Sequence, residues 1–458
     1  MATRVKAAEP KHVVFDARVH AINSRSSDGT THLTLRDEGH FIGTIIDPGI
    51  AESSTLEAAV NVNRESLVRV YGSYVPDERV RHSPNNINGL PSVRVWKLTT
   101  IGVAIKDLRH NLVSHGAPGD ELEQHDALLL NERLNSRVLD LRVATNGAII
   151  KPFSGIYELT VEYLTGHGFD YITTPSLIGY KVPGDDDYFE VPYFNDRKAY
   201  LTQTGELYLG QALSAGLERI FEIHTVFCRE AGPSTRHLTE FTALEIAFAL
   251  EHDWLEKREK YRHQLALVRR LFPSAGRFKL SVDENGRLPR VTFRDAKRIL
   301  REELGFEIYI QADLSWEEEK ALGNYLPSAD SIYGASTDVY SITHHPKHLR
   351  PYNVQPVSRD NEQPLTYSFD ITLGGQEAAS GFQVINDYKV LRPAMAGRNP
   401  PFDLNDPQWQ PFLSAYEAGA PLQGGSGIGL NRLLQSILGL PDIRETTSFP
   451  RDATRLEP

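Results

Sequence analysis

The chain has 458 residues, about three common domain lengths, and is 40% hydrophobic and 24% charged, which excludes a small stapled scaffold, a disordered chain or a fibre. Its net charge of −11 means that any polyanion must be met by a local basic patch rather than by the whole surface. The single cysteine, Cys228, excludes a disulfide framework and a cysteine-based zinc site and fits a reducing cytoplasm.

From Val13 to Asp47, β-branched stretches alternate with turn signals: Val13–Val19, then Ser26-Ser27-Asp28-Gly29, then Thr31–Arg36 and Phe41–Ile46. Further strand-like runs at Ser66–Tyr74 and Val93–Ile105 make five strands, enough for a small Greek-key β-barrel of the OB-fold kind. A polar stretch from His110 to Gln124, with Gly116, Pro118 and Gly119, reads as a linker. Three segments are therefore expected: a barrel over 1–109, a linker over 110–130 and a larger domain over 131–458.

The larger domain opens with helical apolar spacing over Gly155–Gly166. Strands are expected at Tyr171–Thr173, Ala199–Thr202, Ile220–Phe227, Phe241–Leu250, Thr366–Leu373 and Gly381–Ile385, and a charged helix at Trp254–Phe272. This predicts an α+β fold with a mostly antiparallel sheet. The cluster Glu317–Lys320 reads as a solvated helix face. No apolar run reaches the roughly 18 residues that a membrane helix needs, and the N-terminus carries no signal-like apolar core. A soluble, cytoplasmic protein with no membrane association is expected.

Three separated stretches carry chemistry together. Phe227-Cys228-Arg229-Glu230, a short loop and Arg236-His237-Leu238-Thr239-Glu240-Phe241 form a strand, loop and strand with cations on both sides of a turn and an aromatic ring nearby, a layout suited to a nucleotide. Asp370, Glu377 and Ser380 supply two carboxylates and a hydroxyl on late strands, hard oxygen ligands of the kind Mg²⁺ takes. Gly424-Gly425-Ser426-Gly427-Ile428-Gly429 then runs into an apolar helix carrying Arg432, where glycines permit close backbone approach. Taken singly, each has a plain structural reading: a surface ion pair, a solvated acid pair, a turn.

In this order the three stretches closely resemble motifs 2 and 3 of the class II aminoacyl-tRNA synthetases, aspartate/asparagine branch, with the metal-binding strands between them. Arg137-Val138-Leu139-Asp140-Leu141-Arg142 resembles that branch's entry to its catalytic domain, Gly168-Phe169 through Gly179 resembles motif 1, and Ile443–Asp452 resembles the family's ending. The resemblance implies an anticodon-binding OB-fold and a six-stranded antiparallel catalytic sheet binding a bent ATP. It implies a homodimer through motif 1, and an aminoacyl-adenylate whose acyl group passes to tRNA. By carry-over, Arg229 holds the α-phosphate and the amino-acid carboxylate, and His237 reaches the γ-phosphate. Phe241 stacks on adenine, Arg432 covers its other face, and Asp370, Glu377 and Ser380 hold Mg²⁺. Asp187, Gln203, Glu206, Leu209, Glu245, Gln383 and Val384 would face the amino acid.

The departures from the family pattern concern selectivity. Leu209 stands where aspartate enzymes carry Lys, and Val384 where they carry Arg, so both cations that clamp an aspartate side chain are missing. Removing one partner of a buried ion pair costs about 3–5 kcal/mol, so aspartate should be disfavoured by at least about two orders of magnitude. Glu245 occupies a position that is Glu in asparagine enzymes. A neutral, donor-bearing side chain such as an amide is expected, unless Lys181 or Arg197, near the Asp185-Asp186-Asp187 loop, restores the clamp. The motif 2 loop reads as one residue shorter than the usual Arg-x-Glu form, and His32 stands where a base-stacking Phe is usual, which weakens a stacking contact otherwise worth about 1–3 kcal/mol. An alternative is therefore a paralogue that passes its acyl group to ammonia, an amine or a carrier in amino-acid or specialised metabolism. A catalytically silent RNA-binding relative is a third reading, disfavoured by the intact Arg229, Asp370, Glu377, Ser380 and Arg432.

Overall fold

The computed structural model describes residues 11–37, 40–75, 92–105, 130–230, 232, 234–250, 288–309, 311–327, 338–357 and 364–457. The stretch His110–Gln124 and the helix expected over Trp254–Phe272 lie outside the described residues. Two compact units divide the chain, one up to Ala148 and one from Ile149 onward.

The first unit holds β1 (His12–Arg25), β2 (Thr31–Asp37), β3 (His40–Ile46), α1 (Ser53–Asn61), β4 (Leu67–Val75) and β5 (Ser92–Gly102). Two short helices follow, α2 (Leu130–Asn135) and α3 (Arg137–Asp140). The five strands close into a barrel in the order β1-β2-β3-β5-β4. Alternation explains the closure: Ala17 and Val19, Leu33 and Leu35, Val68 and Val70, and Val93 and Val95 turn inward at every second position. Helix α1, which has no apolar signal strong enough to read beforehand, is tied to β5 by the Leu98 N–H, which donates to Thr55 Oγ1 at 2.9 Å. Beside it Glu65, at φ 68°, takes a left-handed backbone that costs a non-glycine residue about 1–3 kcal/mol. Its buried carboxylate is held by Arg36 at 2.9 Å and Arg142 at 3.2 Å, which fixes that conformation.

Helix α4 (Ala144–Gly166) carries the chain into the second unit. Its strands are β6 (Asp170–Tyr171), β7 (Leu177–Ile178), β8 (Glu190–Tyr193), β9 (Arg197–Leu201), β10 (Arg219–Phe227), β11 (Glu240–Ala249), β12 (Arg290–Thr292), β13 (Val339–Thr343), β14 (Ser368–Leu373), β15 (Gln376–Val384) and β16 (Gln423–Gly429). Its helices are α5 (Glu206–Ser214), α6 (Phe293–Glu302), α7 (Trp316–Tyr325), α8 (Tyr388–Ala396), α9 (Gln410–Glu417) and α10 (Leu430–Leu438). An eight-stranded sheet has the order β12-β13-β14-β15-β16-β11-β10-β6. Its six central strands, β13 to β10, are antiparallel neighbours, and the two short edge strands β12 and β6 pair in parallel. The fold is mixed α+β.

Pairing register sorts the side chains to two faces. Phe221, Ile223, Leu244 and Ile246 join Ile156 and Leu164 of α4 and Leu430, Leu433 and Leu434 of α10 in the main core. The opposite face carries Glu222, His224, Phe241, Ala243 and Glu245, continuing across to Gly425, Gly427, Ser380, Phe382 and Asp370. Strand β16 covers Gln423–Gly429 itself, so the glycine stretch read as a turn is a central strand. Gly425 shows why glycine serves there: a Cβ would lie 2.7 Å from the Ile246 carbonyl oxygen.

The charge cluster Glu317–Lys320 is solvated only in part: Glu317 and Lys320 are exposed, while Glu318 and Glu319 are not. Glu318 completes a capping box with Ser315 and is buried against Lys297 at 3.1 Å, and Glu319 pairs with Arg236 at 2.8 Å. The charge pattern showed the helix, but the long-range cations that bury it cannot be read from local sequence.

Candidate functional site

The polar half of the site lies over β14, β15 and the loop between β10 and β11. Asp370 is buried, and both of its oxygens are engaged. Ser380 Oγ donates to Oδ1 at 2.8 Å, while Oδ2 takes His345 Nε2 at 3.0 Å and the Arg350 guanidinium. Burial alone would raise this carboxyl, but His345 and Arg350 hold it well below the usual carboxylate range. Glu377 has the opposite fate, since burial and the neighbouring Asp370 charge push it up to about 8. A buried carboxyl that resists ionisation beside an anionic one, with a hydroxyl at hand, is a donor set that a divalent cation fits, because the ion reverses the electrostatics that protonate Glu377. Arg432, from the first turn of α10, donates through Nη1 to the Glu377 carbonyl at 3.3 Å.

His237 Nδ1 lies 3.1 Å from Glu230 and 3.0 Å from Ser234 Oγ. Burial, with Arg432 and Arg236 nearby, holds its imidazole below its ordinary value, so it is neutral at pH 7. Phe241 is half-buried on the same sheet face. Cys228, just past the end of β10 and two residues before Glu230, is half-buried, and burial pushes its thiol up to about 12. Arg229 sits elsewhere, exposed, its Nη1 3.4 Å from the Asp186 carbonyl. Cys228, not Arg229, stands two residues before Glu230. The structure does not bring Arg229 to the face where Arg432 and His237 meet.

The apolar half lies between α5 and the sheet. A cavity of ≈ 160 Å³ is walled by Leu207, Leu209, Leu213, Ala247, Phe382 and Val384, with Glu245, Tyr416 and Gln423 as its polar lining and Thr204, Glu206, Asn353 and Ser380 among the remainder. No cationic side chain lines it among the described residues. Glu245 Oε2 accepts the Gly205 N–H at 2.8 Å, and Glu206 is fixed by Asn353 Nδ2 at 2.7 Å. Gln383 does not line this cavity, because β15 turns Phe382 and Val384 toward it and the residue between them away.

A larger adjoining cavity of ≈ 930 Å³ shares Thr204, Glu206, Leu207 and Asn353 and takes in Gln203, Asp185 and the cations Lys347, Arg350 and Arg398. Lys347 is committed to the carbonyls of Pro351, Tyr352 and Val354, and burial pulls its amine down to about 8. Lys181 is paired with Asp186 at 2.9 Å and Arg197 lies over the Tyr193 ring, so neither enters the smaller cavity. Asp187 accepts the Arg229 N–H at its carbonyl rather than lining either cavity.

Under the cavity floor, His224 places Nδ1 3.8 Å from Glu222 and Nε2 3.7 Å from Glu245. One ligand atom from each of the three lies within 4.8 Å of the others. Burial lowers His224, but Glu245 and Glu222 outweigh it and the net direction is up. The two nitrogens face different carboxylates at distances longer than a hydrogen bond, and neither has a hydrogen-bond partner among the described residues.

Sequence reasoning missed His345, Arg350, Asn353, Tyr416 and Gln423. They lie on connecting segments, on α9 and at the start of β16, with no spacing that marks them, and only the closed sheet brings them to the site.

A carboxylate pair, an arginine on the helix after the glycine strand and a barrel unit upstream suit a ligase that uses a nucleotide to activate its substrate. The family model of tRNA synthetases class II (D, K and N) matches residues 130–453. The cytoplasmic aspartate–tRNA ligase of Homo sapiens is 31% identical over 464 residues, covering 96% of this chain and 87% of that one. The aspartate–tRNA(Asp) ligase of Picrophilus torridus is 33% identical over 402 residues, covering 87% and 86%. The crystal structure of asparaginyl-tRNA synthetase from Pyrococcus horikoshii, complexed with asparaginyl-adenylate, matches at a TM-score of 0.79 and 25% identity over 98% of this chain and 96% of that one. The chain belongs to the class II tRNA synthetases (D, K and N). It is an aminoacyl-tRNA ligase, which activates an amino acid with ATP and charges tRNA.

Proposed function

We propose that this ligase activates an amino acid with an uncharged side chain, seated at Leu209 and Val384, and not aspartate. The observation that carries the reading is the lining of the ≈ 160 Å³ cavity, which is hydrocarbon, neutral hydroxyl and amide, and carboxylate where an acidic guest would need cations. The substrate carboxylate attacks the α-phosphorus of ATP and pyrophosphate leaves. No enzyme base is needed, so the protein contributes positioning and charge stabilisation. Arg432 and His237 hold phosphate oxygens, Phe241 stacks on adenine, and Glu206, held by Asn353, takes the α-ammonium. Asp370, Glu377 and Ser380 would hold Mg²⁺, whose charge would offset that of the phosphates. Arg229 is not assigned a phosphate, since it lies on the Asp186 side.

We further assign the barrel as an OB-fold that contacts tRNA, and motif 1 as a homodimer surface, supported by the exposed apolar side chains of Tyr157, Tyr171 and Leu177. A cytoplasmic setting fits the lone cysteine, and no described helix is long and apolar enough to cross a membrane. Amino-acid-dependent exchange of labelled pyrophosphate into ATP, followed by charging of total tRNA, tests the reading. Exchange with asparagine or another neutral amino acid and robust charging are expected. Exchange that is fastest with aspartate sinks the pocket assignment, and exchange without charging would favour ammonia, an amine or a carrier as acceptor.

A further inference from the structure

The lining of the small cavity carries a polar group that the adenylation chemistry does not use. Gln423 opens β16, is 1% exposed, and pairs across the sheet with Val384. Its Nε2 donates to the Tyr416 hydroxyl at 2.8 Å, which leaves Oε1 without a hydrogen-bond partner. A buried acceptor left unpaired costs about 1–3 kcal/mol, so its retention on a cavity wall marks a place where a guest supplies the donor. Gly210 keeps that corner open: a Cβ there would lie 3.2 Å from the Tyr416 hydroxyl and 3.6 Å from Gln423 Oε1. Glu245, on the same wall, is a second acceptor. Leu207, Leu209, Leu213, Ala247, Phe382 and Val384 line the same cavity, with the hydroxyls of Thr204, Ser380 and Ser426 and the amide of Asn353 among its polar lining. The nearest cations line the adjoining cavity instead, where Arg350 is committed to Asp370 and Lys347 to three carbonyls.

We propose that Gln423 is a specificity-determining residue, and that the activated amino acid has a neutral side chain with an apolar stem ending in an N–H or O–H donor, a carboxamide or larger, that reaches Gln423 Oε1. This rests on the adenylation reading above and names its substrate class. The size is consistent: an apolar cavity of about 150 Å³ accommodates a benzene-sized guest, and this one is ≈ 160 Å³. The stem is desolvated between Leu209 and Val384, and the donor meets an oxygen that no other group satisfies. Aspartate and glutamate fail twice, because their oxygens face the acceptors of Gln423 and Glu245 and no cation neutralises them. Leucine and methionine fit the walls but leave Oε1 unpaired, which is how a site built to hydrogen-bond its substrate rejects the analogue that lacks the group.

The test is pyrophosphate exchange by the full-length protein with paired amino acids: asparagine against aspartate, glutamine against glutamate, glutamine against methionine, and tyrosine against phenylalanine. The donor-bearing member of the preferred pair is expected to exceed its partner by about a hundredfold in kcat/KM, two bonds' worth at tenfold per 1.4 kcal/mol. In Gln423→Leu that preference should fall about tenfold or more through KM, while Gln423→Glu, which keeps an acceptor, should retain it. Each variant's melting temperature is compared with wild type. If Gln423→Leu does not fold, Gln423→Glu and the wild-type pairs still decide. Exchange led by an acid or a hydrocarbon side chain overturns this inference and leaves adenylation standing. A donor preference unchanged in Gln423→Leu, or lost in Gln423→Glu, also overturns it, the second by showing that the Gln423 amide faces its guest with nitrogen. Exchange with none of these but with another amino acid lacking a side-chain donor also overturns this inference, and exchange with no amino acid at all overturns the adenylation reading and the inference with it.

Discussion

The two halves of the site face, which share strand β15, are built on opposite principles. Over β14 and β15, charge is dense and paired: Asp370 with His345 and Arg350, Arg236 with Glu319, and Arg432 beside the Glu377 carbonyl. Under α5, by contrast, the wall at Leu209 and Val384 is hydrocarbon, and the rest of the lining is hydroxyl, amide and carboxylate with no cationic side chain among the described residues. Adenylation requires charge to be stabilised at phosphorus whatever the amino acid, so that half is constrained by the reaction. The other half touches only the side chain, so it can change its chemistry without touching the bond being made. Reaction and selectivity are thus separable here, residue by residue.

The widest break between the halves is expected from Arg432→Ala. Removing a group placed on developing charge costs about 10²–10³ in rate, so exchange should fall by that factor with every amino acid alike, measured as kcat at saturating substrate. A loss restricted to one amino acid would show that the halves are not independent. The converse experiment is Leu209→Lys with Val384→Arg, which places two cations in the hydrocarbon wall. Aspartate exchange should rise about a hundredfold while exchange with the neutral substrate falls, with ATP KM unmoved. Unchanged discrimination would move the side-chain site out of this cavity.

The two halves also differ in how far they could be read from the chain alone. Strand and loop order brought Asp370, Glu377, Ser380, His237 and Arg432 together in advance, because these residues sit in motifs whose neighbours mark them. Leu209 and Val384 were legible only as departures from a pattern. Their meaning depends on Gln423 and Tyr416, far along the chain, and on β16 being a central strand rather than a turn. Arg229 was expected at the phosphates from its neighbours in sequence, whereas its side chain is exposed beside the Asp186 carbonyl. Glu318 and Glu319 looked solvated because Lys297 and Arg236, which bury them, are distant in sequence.

The charged half can be probed through Glu377 without turnover. Its carboxyl keeps its proton up to about 8 in the fold but releases it near 4.5 when free, so between those values the unfolded chain binds fewer protons and stability falls as pH rises. In metal-free buffer, Glu377→Gln should flatten that fall in melting temperature between pH 5 and 8. At pH 8, added Mg²⁺ should raise the wild-type melting temperature, by about 2–4 °C for each kcal/mol of binding, and leave the variant nearly unmoved. An equal rise in both would place the ion elsewhere.

The smallest expected effect is the sharpest on the boundary between the halves. Arg229→Ala removes an exposed guanidinium whose recorded partner is the Asp186 carbonyl, so exchange should stay within about twofold of wild type. Cys228→Arg, one residue away, adds a cation on the side of Glu230 and Arg432, and should raise kcat about tenfold if the α-phosphate lacks a cation there. A large loss in Arg229→Ala would mean that the 185–187 loop hands this arginine to the phosphate when substrate binds. With Arg229 inert and Cys228→Arg without gain, Arg432 and Arg350 would already cover the developing charge, and the thiol at 228 would cost the reaction nothing.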